Sequence, residues 1–213
     1  MSQDNSKQRW NSSVTALKSV YYVVIGLAIT EALTRTFIEG GKFIGFTVLN
    51  LANLPTTLLL LAFVPTICRF VHGASMHLDV EPSKRYKLLW DFFGFLLQGA
   101  LFYLMALSLR APQAFALLFI LMLASDVGWV ILLVVVKYIE ADRVVEQWLR
   151  SDITLIVFLI VLLAATKLLC PKVVSKEVAC ICSASVLCLL SILATLWDYV
   201  ANRDFYFPAR LSE

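Results

Sequence analysis

Residues 114–136 read AFALLFILMLASDVGWVILLVVV, an apolar run that contains a single charged side chain, Asp126. About 20 apolar residues are enough for an α-helix to cross the hydrocarbon core of a bilayer. The run therefore predicts a membrane-spanning helix with a carboxyl group near its middle. A carboxyl group in the middle of such a helix is expected to have a polar partner elsewhere in the chain.

The whole chain shares this apolar character. Of its 213 residues, 60% are hydrophobic and 15% are charged, whereas soluble domains have roughly 45–50% apolar and 25% charged residues. A single soluble core of this size has no room for so many apolar side chains. Six spans would use roughly 120 residues and leave only tails and loops. We therefore predict an all-α polytopic membrane protein with about six transmembrane helices and no soluble domain.

Five further apolar segments complete the predicted bundle. The six predicted spans cover, in chain order, residues 19–38, 43–71, 87–109, 114–136, 153–169 and 176–200. Residues 1–18 would form a cytoplasmic N-terminal segment and residues 201–213 a cytoplasmic C-terminal tail. A cleaved signal peptide is the alternative interpretation of the first apolar run, because basic residues precede it.

Local sequence signals define some of the helix ends. Pro55 and Pro65 each remove a backbone donor and predict kinks in span two. After span four, apolar residues at helical spacing predict that the helix continues to Leu149. Ser151 and Asp152 have the side chains of an N-cap, so span five is expected to begin after them.

The two sides of the predicted bundle differ in their basic residues. The N-terminal flank, the second and fourth loops and the C-terminal tail hold twice as many lysines and arginines as the opposite side. Cytoplasmic loops are the ones enriched in these residues. Both termini are therefore expected to face the cytoplasm.

Polar positions inside the spans are the main candidates for function, because a polar group in hydrocarbon is costly. Asp126 has no obvious partner in its own helix, and across the bundle the candidates are Gln98 and the asparagines of span two. Such a carboxyl group either faces water and ions or makes a buried structural hydrogen bond. The residues that we predict for a pore or ion pathway are Asp126, Asp91, Gln98, Asn50, Asn53, Ser191, Thr195 and Asp198.

The polar face of span six has two interpretations. It consists of Ala184, Cys188, Ser191, Thr195 and Asp198, at steps of three or four residues. Such a face is either a small-residue packing stripe or the wall of a pore. The asparagines of span two could likewise bond backbone groups freed by Pro55 rather than a ligand. Span five is almost uniformly apolar over residues 153–165 and is expected at the lipid-facing periphery.

The predicted second loop holds both histidines and several basic residues. We predict a basic rim at the inner membrane face, formed by Arg69, His72, Lys84, Arg85 and Lys87. The rim would bind anionic lipid headgroups, or a phosphorylated or nucleotide ligand. His72 and His77 are five residues apart, which is not the i,i+4 spacing of a helical metal site. No metal site is therefore predicted. Haem, and with it any cofactor, is not expected either, because haem ligation by two histidines needs imidazoles inside the spans, and neither histidine is placed there.

The aromatic tail and the cysteines each leave two interpretations open. The aromatic residues 205–207 would form an interfacial belt, or dock onto a neighbouring loop or subunit. The cysteines have the character of small apolar residues. Cys170 and Cys180 nevertheless flank the fifth loop and could form a disulfide there.

Three short motifs resemble segments of a known class of proteins. They are Arg69-Phe70-x-His72-Gly73, His77-Leu78-Asp79 and Phe205-Tyr206-Phe207-Pro208. They are similar to segments of the small multi-pass membrane effectors of bacterial anti-phage defence systems, in which a nucleotide signal from a partner enzyme controls a membrane channel. The resemblance implies a disruptive channel in the bacterial inner membrane. It carries no site residue over to this chain.

Three functions follow in order of preference. The first is an oligomeric membrane channel or pore-type effector, controlled at the cytoplasmic face by an anionic, nucleotide-like ligand. Its expected partners are the lipid bilayer, further copies of the chain and a nucleotide or oligonucleotide ligand, without sequence-specific nucleic-acid binding. The second is a small secondary transporter with Asp126 or Asp91 as the carrier of a proton or cation. The third, a membrane-embedded enzyme that uses His72, His77 and Asp79, is weakened because the chain has no recognisable catalytic motif.

Overall fold

The protein is a bundle of helices, seen in a computed structural model that describes residues 3–45, 50–80, 88–136, 139, 142–173 and 175–207. Its elements are, in chain order, α1 (Gln3–Phe37), β1 (Ile38–Glu39), β2 (Lys42–Phe43), α2 (Leu54–Val80), α3 (Leu88–Leu107), α4 (Pro112–Val135), α5 (Arg143–Val173), α6 (Lys176–Ala201) and α7 (Arg203–Tyr206). Helices α1 to α6 are long enough and apolar enough to cross a membrane. The prediction of a helical chain with six membrane-length helices is therefore confirmed.

The connection between α1 and α2 differs from the prediction. Span two was expected from residue 43, but α2 begins at Leu54. Strand β2 instead pairs with β1 in an antiparallel hairpin that places Ile38 opposite Phe43. Gly40 and Gly41 form the turn with φ values of 56° and 76°, which glycine adopts without strain. A hairpin with a Gly-Gly turn thus takes up the start of the predicted span, and α2 begins later.

The asparagines that were predicted inside span two lie at the start of α2. The carbonyl oxygen of Asn50 accepts hydrogen bonds from the backbone N–H groups of Asn53 and Leu54, both at 2.9 Å. Pro55 occupies the first turn of the helix, where its missing N–H is not needed, so it begins α2 rather than kinking it. Asn50 and Asn53 therefore precede α2, and their predicted place inside the helix of span two is wrong.

Two helices also extend beyond their predicted ends. Helix α1 includes residues 3–18, which were predicted as a separate N-terminal segment. Helix α2 continues to Val80, so His72 and His77 are helical and not part of a loop. Both histidines lie within the membrane-length stretch Leu54–Leu78, beyond the predicted end of span two at residue 71.

Helix α5 begins earlier than predicted because its N-cap is a different residue. Asp142 accepts a hydrogen bond from the backbone N–H of Val145 at 2.9 Å, and the helix starts at Arg143. Ser151 and Asp152, which were predicted as the cap, lie about two turns inside the helix. Helix α4 ends at Val135, so its predicted continuation to Leu149 is also wrong.

Side-chain contacts establish the directions of the helices. Tyr21 contacts Gln98, 77 positions later in the sequence, and Arg35 contacts Arg110, 75 positions later. Because this separation stays nearly constant along the two helices, α1 and α3 are parallel. Contacts from α2 to α6 keep a similarly constant separation of 125 to 127, so these helices are also parallel. The short turn between α3 and α4 makes those two antiparallel. These directions are those of an up-and-down bundle.

The bundle has two ends of different construction. We call the end with the β hairpin and the α3–α4 turn the hairpin end, and the end with the start of α1 and helix α7 the terminal end. The hairpin half is filled by side chains that are almost completely buried, including Phe63, Phe102, Phe115 and Phe119. Their rings meet edge-on at centroid distances of 6.1 to 6.5 Å. This half is a dry aromatic core.

The outer surface of the bundle is strongly apolar. Large side chains that are more than half exposed include Val23, Leu27, Leu61, Phe93, Phe158, Val161, Leu193 and Trp197. An apolar surface of this extent is unfavourable in water and favourable in lipid. The exposed face of α5 agrees with its predicted peripheral position.

Candidate functional site

A chain of polar side chains crosses the bundle near its middle, on the side of the terminal end. Each of the seven helices contributes one residue to it: Tyr21, Arg69, Gln98, Asp126, Asp152, Asp198 and Tyr206. We call this set the polar chain. It joins elements that are far apart in sequence, and it lies beside the dry core of the hairpin half.

The first part of the polar chain links α1, α3 and α4. The Tyr21 hydroxyl donates to Oε1 of Gln98 at 2.6 Å, and Nε2 of Gln98 donates to Oδ1 of Asp126 at 3.2 Å. The two bonds use opposite ends of the Gln98 amide and fix its orientation. Gln98 is therefore the cross-bundle partner that was expected for Asp126, whereas Asn50 and Asn53 lie at the hairpin end.

The second part centres on a buried arginine. Nη2 of Arg69 donates to Oδ1 of Asp152, and its Nε lies 3.5 Å from Oδ2 of Asp198. Arg69 is 6% exposed and each carboxylate is 2% exposed. Since Arg69 is enclosed between two carboxylates, its predicted place on an accessible basic rim is wrong.

Helix α7 completes the polar chain from the C-terminal side. Asp198 accepts hydrogen bonds from Nδ2 of Asn202 at 2.7 Å and from the Tyr206 hydroxyl at 2.6 Å. Burial raises the pKa of the Tyr206 phenol well above its usual value, and the nearby charge of Asp198 raises it further. Tyr206 is therefore a neutral hydrogen-bond donor at physiological pH. The aromatic tail docks on its own bundle, where Tyr206 also packs against His72 at a centroid distance of 4.9 Å.

The two parts meet at Asp126 and Asp152, which line the same cavity. The polar chain contains three carboxyl groups and a single guanidinium. Its charge therefore depends on how many protons or cations it holds.

A cavity of about 80 Å³ lies against the polar chain. Its wall includes Arg69, Gln98, Asp126, Asp152, Asp198 and Tyr206, together with His77 and Trp148. The volume is enough for several water molecules beside the carboxyl groups. The Nε1 group of Trp148 is buried there and has no hydrogen-bond partner among the described residues. The cavity thus offers a donor and several acceptors to a small polar guest.

A second cavity, of about 230 Å³, opens between α3 and α4 and also reaches Asp126. Trp129 borders both cavities. Its ring lies against Gly94, where an added Cβ would be 2.8 Å from Cε2 of the indole. The absence of a side chain at Gly94 therefore leaves room for the Trp129 ring at the border of the two cavities.

The remaining predicted residues have mixed outcomes. Asp91 is completely buried, with Oδ1 3.3 Å from Nε2 of His77, which lines the smaller cavity. Ser191 bonds the Thr66 hydroxyl and the carbonyl oxygen of Ala62, both at 2.6 Å, in the contact of α6 with α2. This contact supports the packing interpretation of the span-six face.

Some predicted residues cannot be placed. Lys84, Arg85 and Lys87 lie outside the described residues, and so does the side chain of Cys170. The rest of the basic rim and the Cys170–Cys180 disulfide therefore stay predictions. In the described part of the chain, no group of three or more His, Cys, Asp or Glu side chains is arranged to hold a metal ion.

Sequence reasoning missed three members of the polar chain. Tyr21 was treated as part of an apolar span, Asp152 as a helix cap and Tyr206 as an interfacial aromatic. Arg69 offered the clearest missed signal, because an arginine in a membrane-length helix requires a buried counter-ion. That requirement would have directed attention to Asp152 and Asp198.

No protein-family model, curated protein or solved structure matches this chain.

Proposed function

We propose that the protein is an integral membrane transporter that binds and releases a proton or small cation at the polar chain. The observation that supports this most strongly is that three carboxyl groups and one buried arginine line the same cavity, within a polar chain to which each described helix contributes. Carboxyl groups at this depth are the usual carriers of protons and cations in membrane transport.

The charge of the polar chain supports an exchangeable ligand. Arg69 balances one of the three carboxylates, so two negative charges remain when all three are ionised, which is costly in a low-dielectric interior. Protons or monovalent cations would neutralise them. Binding therefore changes the net charge of the polar chain, and with it the strength of contacts between all seven helices.

The closed hairpin half favours a carrier over an open pore within one chain. Phe63, Phe102, Phe115 and Phe119 fill the bundle on that side of the polar chain. Passage through a single chain would therefore require repacking of helices, as in alternating access. This choice favours the second of the three sequence-based hypotheses over the first.

The oligomeric channel is kept as a second candidate because of the lateral cavity between α3 and α4. This cavity reaches Asp126 from the side, where a neighbouring copy would complete a pathway. That proposal also includes control by a nucleotide-like ligand and a role in anti-phage defence. It places the protein in the bacterial inner membrane with both termini in the cytoplasm. Within the predicted basic rim, Lys84, Arg85 and Lys87 rather than the enclosed Arg69 would bind an anionic regulator.

Two assays on the purified protein distinguish the carrier from the oligomeric channel. One measures flux into liposomes loaded with a pH-sensitive dye, and the other records current in planar bilayers. We expect proton movement when a sodium or potassium gradient is imposed, with a rate that saturates as the cation concentration rises. A carrier gives no unitary current steps in planar bilayers. Current steps that scale with oligomer content would support the channel instead. No proton or cation movement in either assay would contradict both.

A further inference from the structure

A large groove on the outside of the bundle lies between α5 and α6, away from the polar chain. Its volume is about 740 Å³, and it runs along antiparallel stretches of the two helices. One end is lined by Arg143, Glu146 and Arg150, and the other by Phe158, Leu190 and Leu193. The groove is therefore polar near the terminal end and apolar toward the middle of the bundle.

The polar end of the groove has a net positive charge. Arg143 and Arg150 are both exposed and lie seven residues apart, two turns along the same face of α5. Glu146 lies between them, so two guanidinium groups face one carboxylate. Within the part of the chain that the structure describes, neither arginine takes part in an ion pair.

The apolar end follows these arginines along the groove, after two small hydroxyl side chains. Leu155 forms the floor, Ala194 leaves space on the α6 side, and Phe158 and Leu193 stand at the edges. Arg143 and Phe158 are about 22 Å apart along the helix, from its rise per residue. That length matches a headgroup at the interface with an acyl chain below it, because half of a hydrocarbon core is roughly 15 Å thick.

We propose that this groove is a binding site for an anionic glycerophospholipid. Its phosphate binds Arg143 and Arg150, headgroup hydroxyls donate to Glu146, and one acyl chain lies along Leu155 and Ala194. Arginine suits this role because its guanidinium pairs with phosphate through two parallel hydrogen bonds. This site differs from the basic rim expected from the sequence, and it does not depend on the transport proposal.

Native mass spectrometry of the detergent-purified protein tests the site. Phosphatidylglycerol and phosphatidylcholine with identical acyl chains are added at equal concentration, and the lipids retained per chain are counted. We expect selective retention of phosphatidylglycerol. Replacing both arginines, as R143Q/R150Q, should lower retention by about fivefold for each charge removed. The control R9Q/R203Q removes two exposed arginines elsewhere at the terminal end and should retain lipid as the wild type does.

A separate variant tests the apolar end of the groove, where the acyl chain would bind. Ala194→Phe fills the groove and should reduce retention of phosphatidylglycerol, whereas Ala100→Phe, at an exposed position of α3, should not. Thermal unfolding of each variant confirms that it is folded.

Three results would overturn the proposal. They are equal retention of the two lipids, equal loss in R9Q/R203Q and R143Q/R150Q, and displacement of phosphatidylglycerol by soluble glycerol 3-phosphate. The last would mean that the arginines bind a free phosphate group and that the apolar track plays no part.

Discussion

The two halves of the bundle are held together in opposite ways. The hairpin half is packed with buried phenylalanine rings, whose contacts are individually weak and collectively large. The terminal half is held by a few charged and polar contacts, which enclose one buried arginine between two carboxylates. Apolar residues of similar size often stabilise a buried site as well as ions do. Stability alone therefore does not explain the polar chain, and its presence inside the bundle favours a function.

Removing the arginine should have the largest effect. Arg69→Met leaves Asp152 and Asp198 buried without their counter-ion, and we expect a loss of about 3–5 kcal/mol in unfolding free energy. Transport should be abolished. Unfolding in detergent measures the first and liposome flux the second, with Arg203→Met, at an exposed position, as the control.

Neutralising the partners as well separates stability from function. The variant R69M/D152N/D198N has no unpaired charge at the former ion pairs, so it should regain most of the stability that Arg69→Met loses. It should still not transport. Recovery of transport together with stability would show that the ion pairs are only structural.

A cavity in the hairpin half should be almost as costly to stability. Phe63→Ala removes a completely buried ring, and we expect a loss of about 3–4 kcal/mol. The polar chain is untouched, so flux per folded molecule should remain close to that of the wild type. Phe93→Ala, where the ring is exposed, serves as the control. If Phe63→Ala lost as much flux as Arg69→Met, the proposal that only the terminal half carries out transport would be contradicted.

The Tyr206 hydroxyl should contribute less. Tyr206→Phe removes the hydrogen bond to Asp198, and we expect a loss of about 1.5–3 kcal/mol at neutral pH. Because the folded pKa of Tyr206 is raised, its phenol stabilises the fold fully below the unfolded value of about 10. That contribution is lost as pH rises above 10, since the unfolded phenol ionises first.

Unfolding measured from pH 8 to pH 11 checks this dependence. The free energy of unfolding should fall more steeply above pH 10 in the wild type than in Tyr206→Phe. Parallel curves would show that Tyr206 is not buried against Asp198. Tyr103→Phe, which removes an exposed hydroxyl, gives the reference at neutral pH.

A methyl group at Gly94 should have the smallest of these effects. Gly94→Ala places a Cβ 2.8 Å from the Trp129 ring. We expect a loss of about 1–2 kcal/mol, because Trp129 borders two cavities and can move. Gly128→Ala is the matched control, since nothing lies within 4 Å of its added Cβ. The loss should shrink in a Trp129→Leu background, and an undiminished loss there would exclude the contact as its cause.

The sequence predicted the helices better than it predicted the polar chain. Six apolar runs were sufficient for six helices, because a membrane-length helix depends mainly on local composition. The pairing of Gln98 with Asp126 was also expected, since both are deep polar groups in neighbouring spans. The other members of the polar chain were missed because their partners depend on which helices pack together. Helices α2 and α6 pack together, for example, although their contacting residues lie 125 or more positions apart in the sequence.

Asp152 illustrates why a local signal misleads. Ser-Asp before an apolar run is the usual sequence of a helix start, yet α5 was already two turns long at that point. The buried Arg69 is the partner that makes a carboxylate acceptable inside the helix. Local rules describe the start of a helix well, but they contain no information about a charge that approaches from another helix.

Proton flux of Asp126→Asn in liposomes is the most direct test of the polar chain as a transport site. Asparagine keeps the shape and still accepts from Gln98, but it cannot carry a proton. The matched control is Asp204→Asn, at an exposed carboxylate on α7. We predict that Asp126→Asn falls to the rate of protein-free liposomes while Asp204→Asn moves protons at the wild-type rate. Wild-type flux in folded Asp126→Asn would contradict the account.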